Sequence, residues 1–248
     1  MEAEKKIHIG MLSPDTANRP HFRSFQKLLP SDVALINEGL GLLRNSYDDL
    51  AGKGDEVIAR ALAVAAQHQL RGLMLGGGFL TLFNPGLESK VSDAIGRPAT
   101  AAVPAVTAAL EALSLKTLLL MTPFSAAMNS VIKKHFDSLG FEVFLGPPFE
   151  DRRPGASVDL TPEALFKLAA ETLKKNPATQ AIYFQGATMD PLPIIQRLED
   201  ELAVTVVTSN QAMLWHLLSQ LGLKYSISGY GKLLSSWPPI EGQRANHA

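Results

Sequence analysis

The chain alternates short apolar runs with longer amphipathic segments, and this alternation restricts the fold more than any other feature. Runs of large apolar and β-branched residues predict buried strands, whereas apolar residues spaced by three and four predict helices. Strands are predicted over 7–12, 72–75, 117–121, 141–145, 181–184 and 204–207. Helices are predicted over 55–69, 103–113, 125–139, 161–175, 193–202 and 211–221. Strands that alternate with crossover helices are typical of a parallel α/β fold.

Landmarks of the first part of the chain recur in the second part. Their separations are 109 (123 − 14), 110 (186 − 76) and 108 (208 − 100) residues, for Pro14 and Pro123, Gly76 and Gly186, and Thr100 and Thr208. Nearly constant offsets indicate a duplication, although common turns after strands also recur by chance. The duplication predicts two pseudo-twofold-related, flavodoxin-like α/β halves with parallel sheets and a cleft between them. We expect a first half of 1–115 that regains the tail 225–248, and a second half of 116–224.

Glycines and hydroxyl side chains follow the predicted strands. These turns are Ser13-Pro14, Gly76-Gly77-Gly78, Thr122-Pro123-Phe124, Gly186-Ala187-Thr188 and Thr208-Ser209-Asn210. Ligands of open parallel sheets bind beyond the carboxyl ends of the strands, so halves that face each other would place all five turns around one pocket. Backbone N–H groups at such helix N-termini favour an anion, either a carboxylate or a phosphate. A nucleotide module has less support because the chain lacks a P-loop.

Composition and charge exclude several classes of protein. The chain has 23 Lys+Arg against 24 Asp+Glu, and a net charge of −1 argues against a nucleic-acid binder. It contains no cysteine, which removes disulfides, thiolate nucleophiles and cysteine-bound zinc. Its six histidines form neither a cluster nor an HExxH motif, so no metal is expected. Apolar runs are too short for a bilayer and no signal peptide is visible, which predicts a cytoplasmic protein without a membrane partner.

Several segments agree in order and spacing with a known group of enzymes. They are Ile9-Gly10-Met11-Leu12-Ser13-Pro14, Gly39-Leu40-Gly41-Leu42, the Gly76 turn, 117–123, Thr208-Ser209-Asn210-Gln211-Ala212 with Trp215, and Gly229-Tyr230-Gly231-Lys232-Leu233. Taken together they resemble the aspartate/glutamate racemase superfamily, in particular its arylmalonate decarboxylase and maleate cis-trans isomerase branch. The resemblance covers nearly the whole chain.

The resemblance implies two pseudo-symmetric halves, a site between them, small carboxylate substrates, and neither metal nor cofactor. It also implies cysteine chemistry, with one cysteine per half in racemases and a second-half cysteine in the decarboxylase. Here those positions are assigned to Gly76 and Gly186. Gly77 and Gly78 replace expected hydroxyl donors, and Phe124 replaces an expected tyrosine. Racemisation through two thiols is therefore excluded, and decarboxylation or isomerisation needs another proton-transfer group.

Asp15 and Thr188 are the candidate catalytic residues. Asp15 follows the first strand and Pro14, so we expect its carboxyl group in the cleft as a general acid or base. The alternative is that Asp15 caps the following turn, which aspartate often does. Thr188 is the hydroxyl nearest the vacated second-half cysteine position and could donate to an oxyanion, although an unactivated threonine is a poor proton donor.

The candidate substrate-binding residues come from the same turns. They are Pro14, Gly76, Gly77, Gly78, Phe79, Phe124, Gly186, Ala187, Ser209, Asn210 and Arg44. Ser209 and Asn210 could bind a substrate carboxylate or only cap the next helix. The glycines could admit a ligand or only form tight turns, and the two phenylalanines could line a pocket or only fill the core. Arg44 could pair with a second carboxylate or form a surface salt bridge.

These inferences predict a cofactor-independent lyase or isomerase for a small mono- or dicarboxylic acid. An enediolate-like intermediate would be held by the strand-end turns, and Asp15 would transfer the proton without a cysteine. The alternative is a non-catalytic carboxylate-binding protein on the same fold. The oligomeric state is left open, a homo-oligomer included.

Overall fold

The computed structural model describes residues 6–15, 24–149, 160–186 and 188–240. It contains two four-stranded parallel sheets. The first comprises β1 (Ile7–Ser13), β2 (Val33–Gly39), β3 (Gly72–Leu75) and β4 (Ala99–Ala101) in the order β2-β1-β3-β4. The second comprises β5 (Thr117–Met121), β6 (Glu142–Leu145), β7 (Ala181–Phe184) and β8 (Thr205–Thr208) in the order β6-β5-β7-β8. The same strand order in both sheets confirms the two similar α/β halves.

Helices connect the strands, as parallel pairing requires. Their bounds are α1 (Gly54–His68), α2 (Gly78–Leu82), α3 (Leu87–Ile95), α4 (Ala102–Ala112), α5 (Ala126–Ser138), α6 (Pro162–Lys175), α7 (Ile195–Leu202), α8 (Ser209–Gln220) and α9 (Gly231–Ser236). The six predicted strands and six predicted helices all form, with ends within two residues of the prediction. The helix expected to start at 193 begins instead with a 3₁₀ turn, Leu192–Ile194.

The sequence analysis missed two strands and three short helices. Strand β2 is half-buried and carries Asn37 and Glu38, so it lacks the apolar run that marks a buried strand. Strand β4 has three residues of sequence Ala-Thr-Ala, too short and too weakly apolar to detect. Helices α2, α3 and α9 have at most nine residues, which is little more than two turns and leaves their periodicity hard to recognise.

The two halves pack together through α4 and α8, and their buried apolar residues form one connected cluster. Ala105 and Ala109 of α4 are fully buried, as is Trp215 of α8. Complete burial of a large apolar side chain is worth about 1.5–3 kcal/mol, so the shared core stabilises both halves. The Thr100 hydroxyl also lies 2.7 Å from His216 Nδ1 across the two halves, which gives His216 a structural role.

The register of the strands fixes which residues are equivalent in the two halves. Ile9 pairs with Gly72 in the first sheet, and Leu118 pairs with Ala181 in the second. The offset is 109 in both strands (118 − 9 and 181 − 72). A single offset therefore relates the two central strand pairs.

This offset corrects one predicted equivalence. The Gly76 N–H donates to the Leu12 carbonyl at 2.9 Å, and the Gln185 N–H donates to the Met121 carbonyl at 3.0 Å. The counterpart of Gly76 is therefore Gln185, not Gly186. The sequence comparison was one residue out because three consecutive glycines align equally well in three registers.

A second equivalence also moves by one residue. Leu75 pairs with Ala101 in the first sheet, whereas Phe184 pairs with Thr208 in the second. The counterpart of Thr208 is therefore Ala101 rather than Thr100. The offset here is 107 (208 − 101), because the connection to the last strand is two residues shorter in the second half.

The tail contacts both halves. The Tyr225 hydroxyl donates to Asp32 of the first half at 2.9 Å, whereas α9 packs against α7, α8 and β8 of the second half. The division into 1–115 with 225–248 and 116–224 stays a prediction. Within the described residues, no helix is both long enough and apolar enough to cross a membrane.

Candidate functional site

A cavity of about 130 Å³ lies at the carboxyl ends of strands from both sheets. Most of the predicted site residues line it: Pro14, Asp15, Gly76, Gly77, Gly78, Phe79, Phe124, Gly186, Thr188, Ser209 and Asn210. Their roles stay predictions, but the fold brings these residues to one place. A cavity of about 150 Å³ accommodates benzene, so the space suits a small organic molecule.

Two predicted residues stand apart from this set. Ala187 lies outside the described residues. Arg44 is not among the residues that line the cavity, and its backbone N–H donates to Asp49 Oδ2 at 3.1 Å. Glu38, which flanks the same segment, pairs with Arg60 at 2.9 Å. The expected contact of Arg44 with a bound carboxylate stays a prediction.

The first strand of each half ends in the same kind of turn. The Asp15 N–H donates to the Ser13 hydroxyl at 3.4 Å, and the Phe124 N–H donates to the Thr122 hydroxyl at 3.1 Å. A hydroxyl that accepts a bond from the residue two positions later stabilises a turn. Asp15 and Phe124 thus occupy equivalent positions at the cavity, one half-buried and the other 9% exposed.

Glycine is required at one position after the third strand of each half. Gly77 has φ +80° and Gly186 has φ +107°, a conformation that side chains rarely adopt. A Cβ at Gly77 would lie 2.7 Å from Pro14 Cγ, and one at Gly186 would lie 2.6 Å from Pro123 Cδ. Within the described part of the chain, neither N–H of these glycines donates a backbone hydrogen bond. Both glycines also line the cavity.

The start of α8 separates helix capping from ligand binding. The Thr208 hydroxyl accepts from Gln211 N at 3.1 Å, and Gln211 Oε1 accepts from Thr208 N at 3.0 Å, which completes a capping box. Capping is thus done by Thr208 and Gln211. Ser209 and Asn210, which line the cavity, are not needed for it.

The Ser209 side chain is hydrogen-bonded to Tyr183 of β7. Their hydroxyl oxygens lie 3.1 Å apart, and Tyr183 is completely buried. Burial raises the pKa of Tyr183 well above its ordinary value, while the Ser209 hydrogen bond opposes that shift. Tyr183 therefore stays a neutral phenol, and the pair positions the Ser209 hydroxyl at the cavity wall.

Aromatic rings form an apolar part of the cavity wall. Tyr47, Phe79 and Phe124 pack with ring centroids 4.8, 5.3 and 5.1 Å apart. Phe83 stacks on Phe79 at 5.7 Å but does not line the cavity. The wall can contact an apolar substituent while the polar turns contact the remainder of a ligand. Tyr47 was not predicted, because it lies in a 3₁₀ turn, Tyr47–Leu50, rather than at a strand end.

Sequence reasoning also missed two polar groups at the cavity. The Asp190 carboxylate accepts from the Ser24 hydroxyl and from Leu192 N, so it helps to order the turn before α7. Gln185 is 1% exposed, and its Nε2 and Oε1 have no hydrogen-bond partner among the described residues. The constant offset of 109 from Gly76 was the signal that could have identified Gln185.

The described residues contain no group of three or more histidine, cysteine, aspartate or glutamate side chains placed to hold a metal ion. Cofactor independence stays a prediction.

Comparisons with known proteins agree with this architecture. A crystal structure of arylmalonate decarboxylase is 23% identical with a TM-score of 0.75, covering 92% of this chain and 99% of that chain. The maleate isomerase Iso of Pseudomonas putida S16 is 17% identical with a TM-score of 0.80, covering 94% and 100%. Maleate cis-trans isomerase of Nocardia farcinica, bound to TRIS, is 17% identical with a TM-score of 0.77, covering 92% and 98%. These likenesses show a shared fold.

No curated protein sequence is significantly similar to this chain. The sequence model of one family, described as arylmalonate decarboxylase, matches residues 9–234, which is most of the chain. The chain therefore belongs to the arylmalonate decarboxylase family.

Proposed function

We propose that the protein is a cofactor-independent, thiol-free lyase or isomerase that acts on a small carboxylic acid through an enediolate-like intermediate. Its family and its structural neighbours comprise decarboxylases and isomerases. The chain has no cysteine. We assign Gly76 to the first cysteine position that the resemblance implies, and its counterpart Gln185 to the second. Neither residue can transfer a proton at neutral pH.

The observation that carries this proposal is the position of Asp15. Asp15 follows Pro14 at the end of the first strand and lines the same cavity as the glycine turns. Asp190, the other carboxylate among the described lining residues, orders its own turn through Leu192 N. Asp15, at the strand end where the sequence predicts a general acid or base, is our candidate for proton transfer.

The proposed decarboxylation proceeds in two steps. The bond between Cα and one carboxylate breaks, CO₂ leaves, and the electron pair passes into the remaining carboxyl group as an enediolate. The Asp15 carboxyl group then delivers a proton to Cα, and this proton is replaced from solvent. In a cis-trans isomerase the Asp15 carboxylate would instead add to one alkene carbon, and the electron pair of the double bond would pass into the adjacent carboxyl group as an enediolate. Rotation about the new single bond and loss of the Asp15 carboxylate would then re-form the double bond in the trans isomer.

The enediolate would be stabilised by neutral donors. The N–H groups of Gly77 and Gly186 and the side chains of Thr188, Ser209 and Asn210 surround the cavity. One donor aimed at a developing oxyanion is commonly worth about 3 kcal/mol of the barrier. The aromatic wall would hold an aryl or alkyl substituent on Cα.

The proposal is tested by turnover of a small panel of acids in D₂O. Phenylmalonate, maleate and 2-phenylpropionate are incubated with metal-free protein and followed by proton NMR. We expect CO₂ loss, double-bond isomerisation or exchange of the α-proton for deuterium with at least one acid. Activity that disappears on chelation and returns with a metal ion contradicts cofactor independence.

Gln185 favours a second candidate function, a carboxylate-binding protein without catalysis. A carboxamide at this position supplies hydrogen bonds but no titratable proton. Saturable binding of these acids with neither turnover nor α-deuterium exchange supports this alternative.

A further inference from the structure

The carboxamide of Gln185 is a buried polar group without a partner. The side chain is 1% exposed, and both Nε2 and Oε1 lack a hydrogen-bond partner among the described residues. Most buried side-chain polar atoms in proteins are hydrogen-bonded, and an unsatisfied one costs stability. The arrangement is therefore explained most simply by a ligand that supplies the missing bonds.

The surroundings of Gln185 hold its amide against Gly78, a residue of the cavity wall. Its backbone N–H continues the ladder of β7 by donating to the Met121 carbonyl, which fixes the start of the side chain. The amide reaches the first half and lies against Gly78, where a Cβ would overlap Nε2 and lie 3.0 Å from Cδ. Gly76, Gly77 and Gly78 line the same cavity as Gln185. The lack of a side chain at Gly78 thus makes room for the amide of the other half.

The two orphan atoms specify the ligand by chemistry. Nε2 donates two hydrogen bonds, and Oε1 accepts. A bare carboxylate would satisfy Nε2 and leave Oε1 unpaired, because it brings no donor. A ligand that presents an acceptor and a donor side by side would satisfy both atoms.

We propose that Gln185 is a substrate-specificity residue. It selects acids in which a hydroxyl group lies next to the carboxyl group, or in which a second carboxyl group is replaced by a carboxamide, so that the acid carries a hydrogen-bond donor. This inference rests on the proposed function and narrows its substrate class to 2-hydroxy acids and half-amides of malonates. The hydroxyl or amide N–H of the substrate donates to Oε1, and an adjacent oxygen accepts from Nε2. The cavity wall of Tyr47, Phe79 and Phe124 receives the apolar substituent.

The test compares binding of three phenyl-substituted probes by titration calorimetry. Phenylacetate has a carboxylate alone, mandelate adds a 2-hydroxyl, and phenylmalonamate adds a primary amide. Wild-type protein should bind mandelate or phenylmalonamate about tenfold more tightly than phenylacetate, the scale of one good hydrogen bond. The two donor-bearing probes distinguish the hydroxyl source from the amide source.

Three variants complete the test. Gln185→Met keeps the length of the side chain and removes both polar atoms, so the tenfold preference should fall below about threefold. Gly78→Ala leaves Gln185 in place but displaces its amide, so it should reduce the preference in the same direction. Gly54→Ala is the matched control, because a Cβ there meets nothing closer than 3.7 Å, and it should bind like wild type.

Equal affinities for the three probes in wild-type protein overturn the proposal, as does a preference that survives in Gln185→Met. Gly78→Ala keeps the proposal falsifiable if Gln185→Met fails to fold. Proton NMR of each sample after titration shows whether the probe has been converted, so the binding preference and the proposed turnover are recorded separately. A donor preference that depends on Gln185 in a protein that turns over none of its acids supports the ligand class and contradicts the enzyme.

Discussion

At the cavity, the first half presents Asp15 and Phe79 where the second half presents Phe124 and Thr188. The offset is 109 in both cases (124 − 15 and 188 − 79), the same as between the paired strands. A polar side chain in one half thus faces the cavity from a position that is aromatic in the other.

The residues that form the turns next to these side chains are alike in both halves. A hydroxyl followed by proline ends the first strand, as Ser13-Pro14 and as Thr122-Pro123, and a positive-φ glycine follows the third, as Gly77 and as Gly186. The two halves thus share the proline and glycine residues that shape the turns, whereas the side chains that the turns place at the cavity differ. An asymmetric pair of walls suits proton transfer on one face of a substrate, whereas two-thiol racemisation needs equivalent groups on both faces.

The largest expected effect comes from removing the carboxyl group of the first half. Asp15→Asn keeps the shape of the side chain, and we expect kcat to fall by about 100-fold or more, the usual scale for loss of a general acid or base. Phe124→Leu, at the equivalent position, is the matched control and should alter KM more than kcat. Steady-state kinetics on an acid that the wild type turns over measure both, and wild-type kcat in Asp15→Asn rules out this role.

Where the two halves contact each other, equivalent positions again carry a polar residue in one half and an apolar residue in the other. Thr100 and His216 form a polar pair across the halves, whereas the equivalent positions, Ala109 and Val207, are apolar at the same offset of 107 (216 − 109 and 207 − 100). Burial lowers the pKa of His216 to about 4, from an ordinary 6.5. As the pH falls, His216 therefore binds a proton in the unfolded chain at a higher pH than it does in the folded protein.

Stability should consequently be full above pH 6.5 and should decrease between pH 6.5 and about 4, by up to about 3 kcal/mol from this histidine. Urea unfolding at a series of pH values measures the slope. His216→Gln can keep a bond to Thr100 without titrating, so its stability should depend less on pH in this window. Parallel curves for the two proteins would show that His216 contributes nothing.

The shared glycines should respond alike. Gly77→Ala and Gly186→Ala each force a side chain into a positive-φ turn and against a proline ring, so each should lower the free energy of unfolding by about 1–3 kcal/mol. Gly54→Ala is again the control, with no positive φ and ample room. A large loss at one glycine and none at the other would show that the two turns are not equivalent.

The smallest expected effects distinguish the helix starts. Thr208 caps α8 through its side chain, whereas Ala101 at the start of α4 provides no side-chain cap. Thr208→Ala should lower stability by about 1 kcal/mol. Asn210→Ala should leave stability unchanged and raise KM, which thermal unfolding and kinetics together can show. The reverse pattern would assign capping to Asn210.

Much of the fold follows from the sequence because buried strands and amphipathic helices carry strong local patterns. Strands such as 72–75, 117–121 and 181–184 were predicted with the bounds that they have, since each is an apolar run bounded by turn residues. Strand β2 and strand β4 were missed because half-burial and shortness remove that pattern. Their places at or next to a sheet edge depend on pairing with distant segments, which no local window records.

The candidate site was predictable as far as it consists of strand ends. Asp15, Gly77 and Ser209 line the cavity because residues after parallel strands gather at one edge of the sheets. Gln185 was missed because three consecutive glycines align equally well in several registers, so Gly76 was matched with Gly186 instead of with Gln185. Arg44 is not among the lining residues, and its segment folds onto Asp49, where three backbone N–H groups lower the pKa of that carboxyl group.

The central claim is that one carboxyl group, on one face of an asymmetric cavity, transfers the proton without a thiol. The most direct measurement is turnover of 2-methyl-2-phenylmalonate in D₂O, with the product analysed for deuterium content and for enantiomeric composition. We expect one deuterium at Cα, a single enantiomer of 2-phenylpropionate, and a rate at least about 100-fold lower in Asp15→Asn. A racemic product, or an undiminished rate in Asp15→Asn, would contradict it.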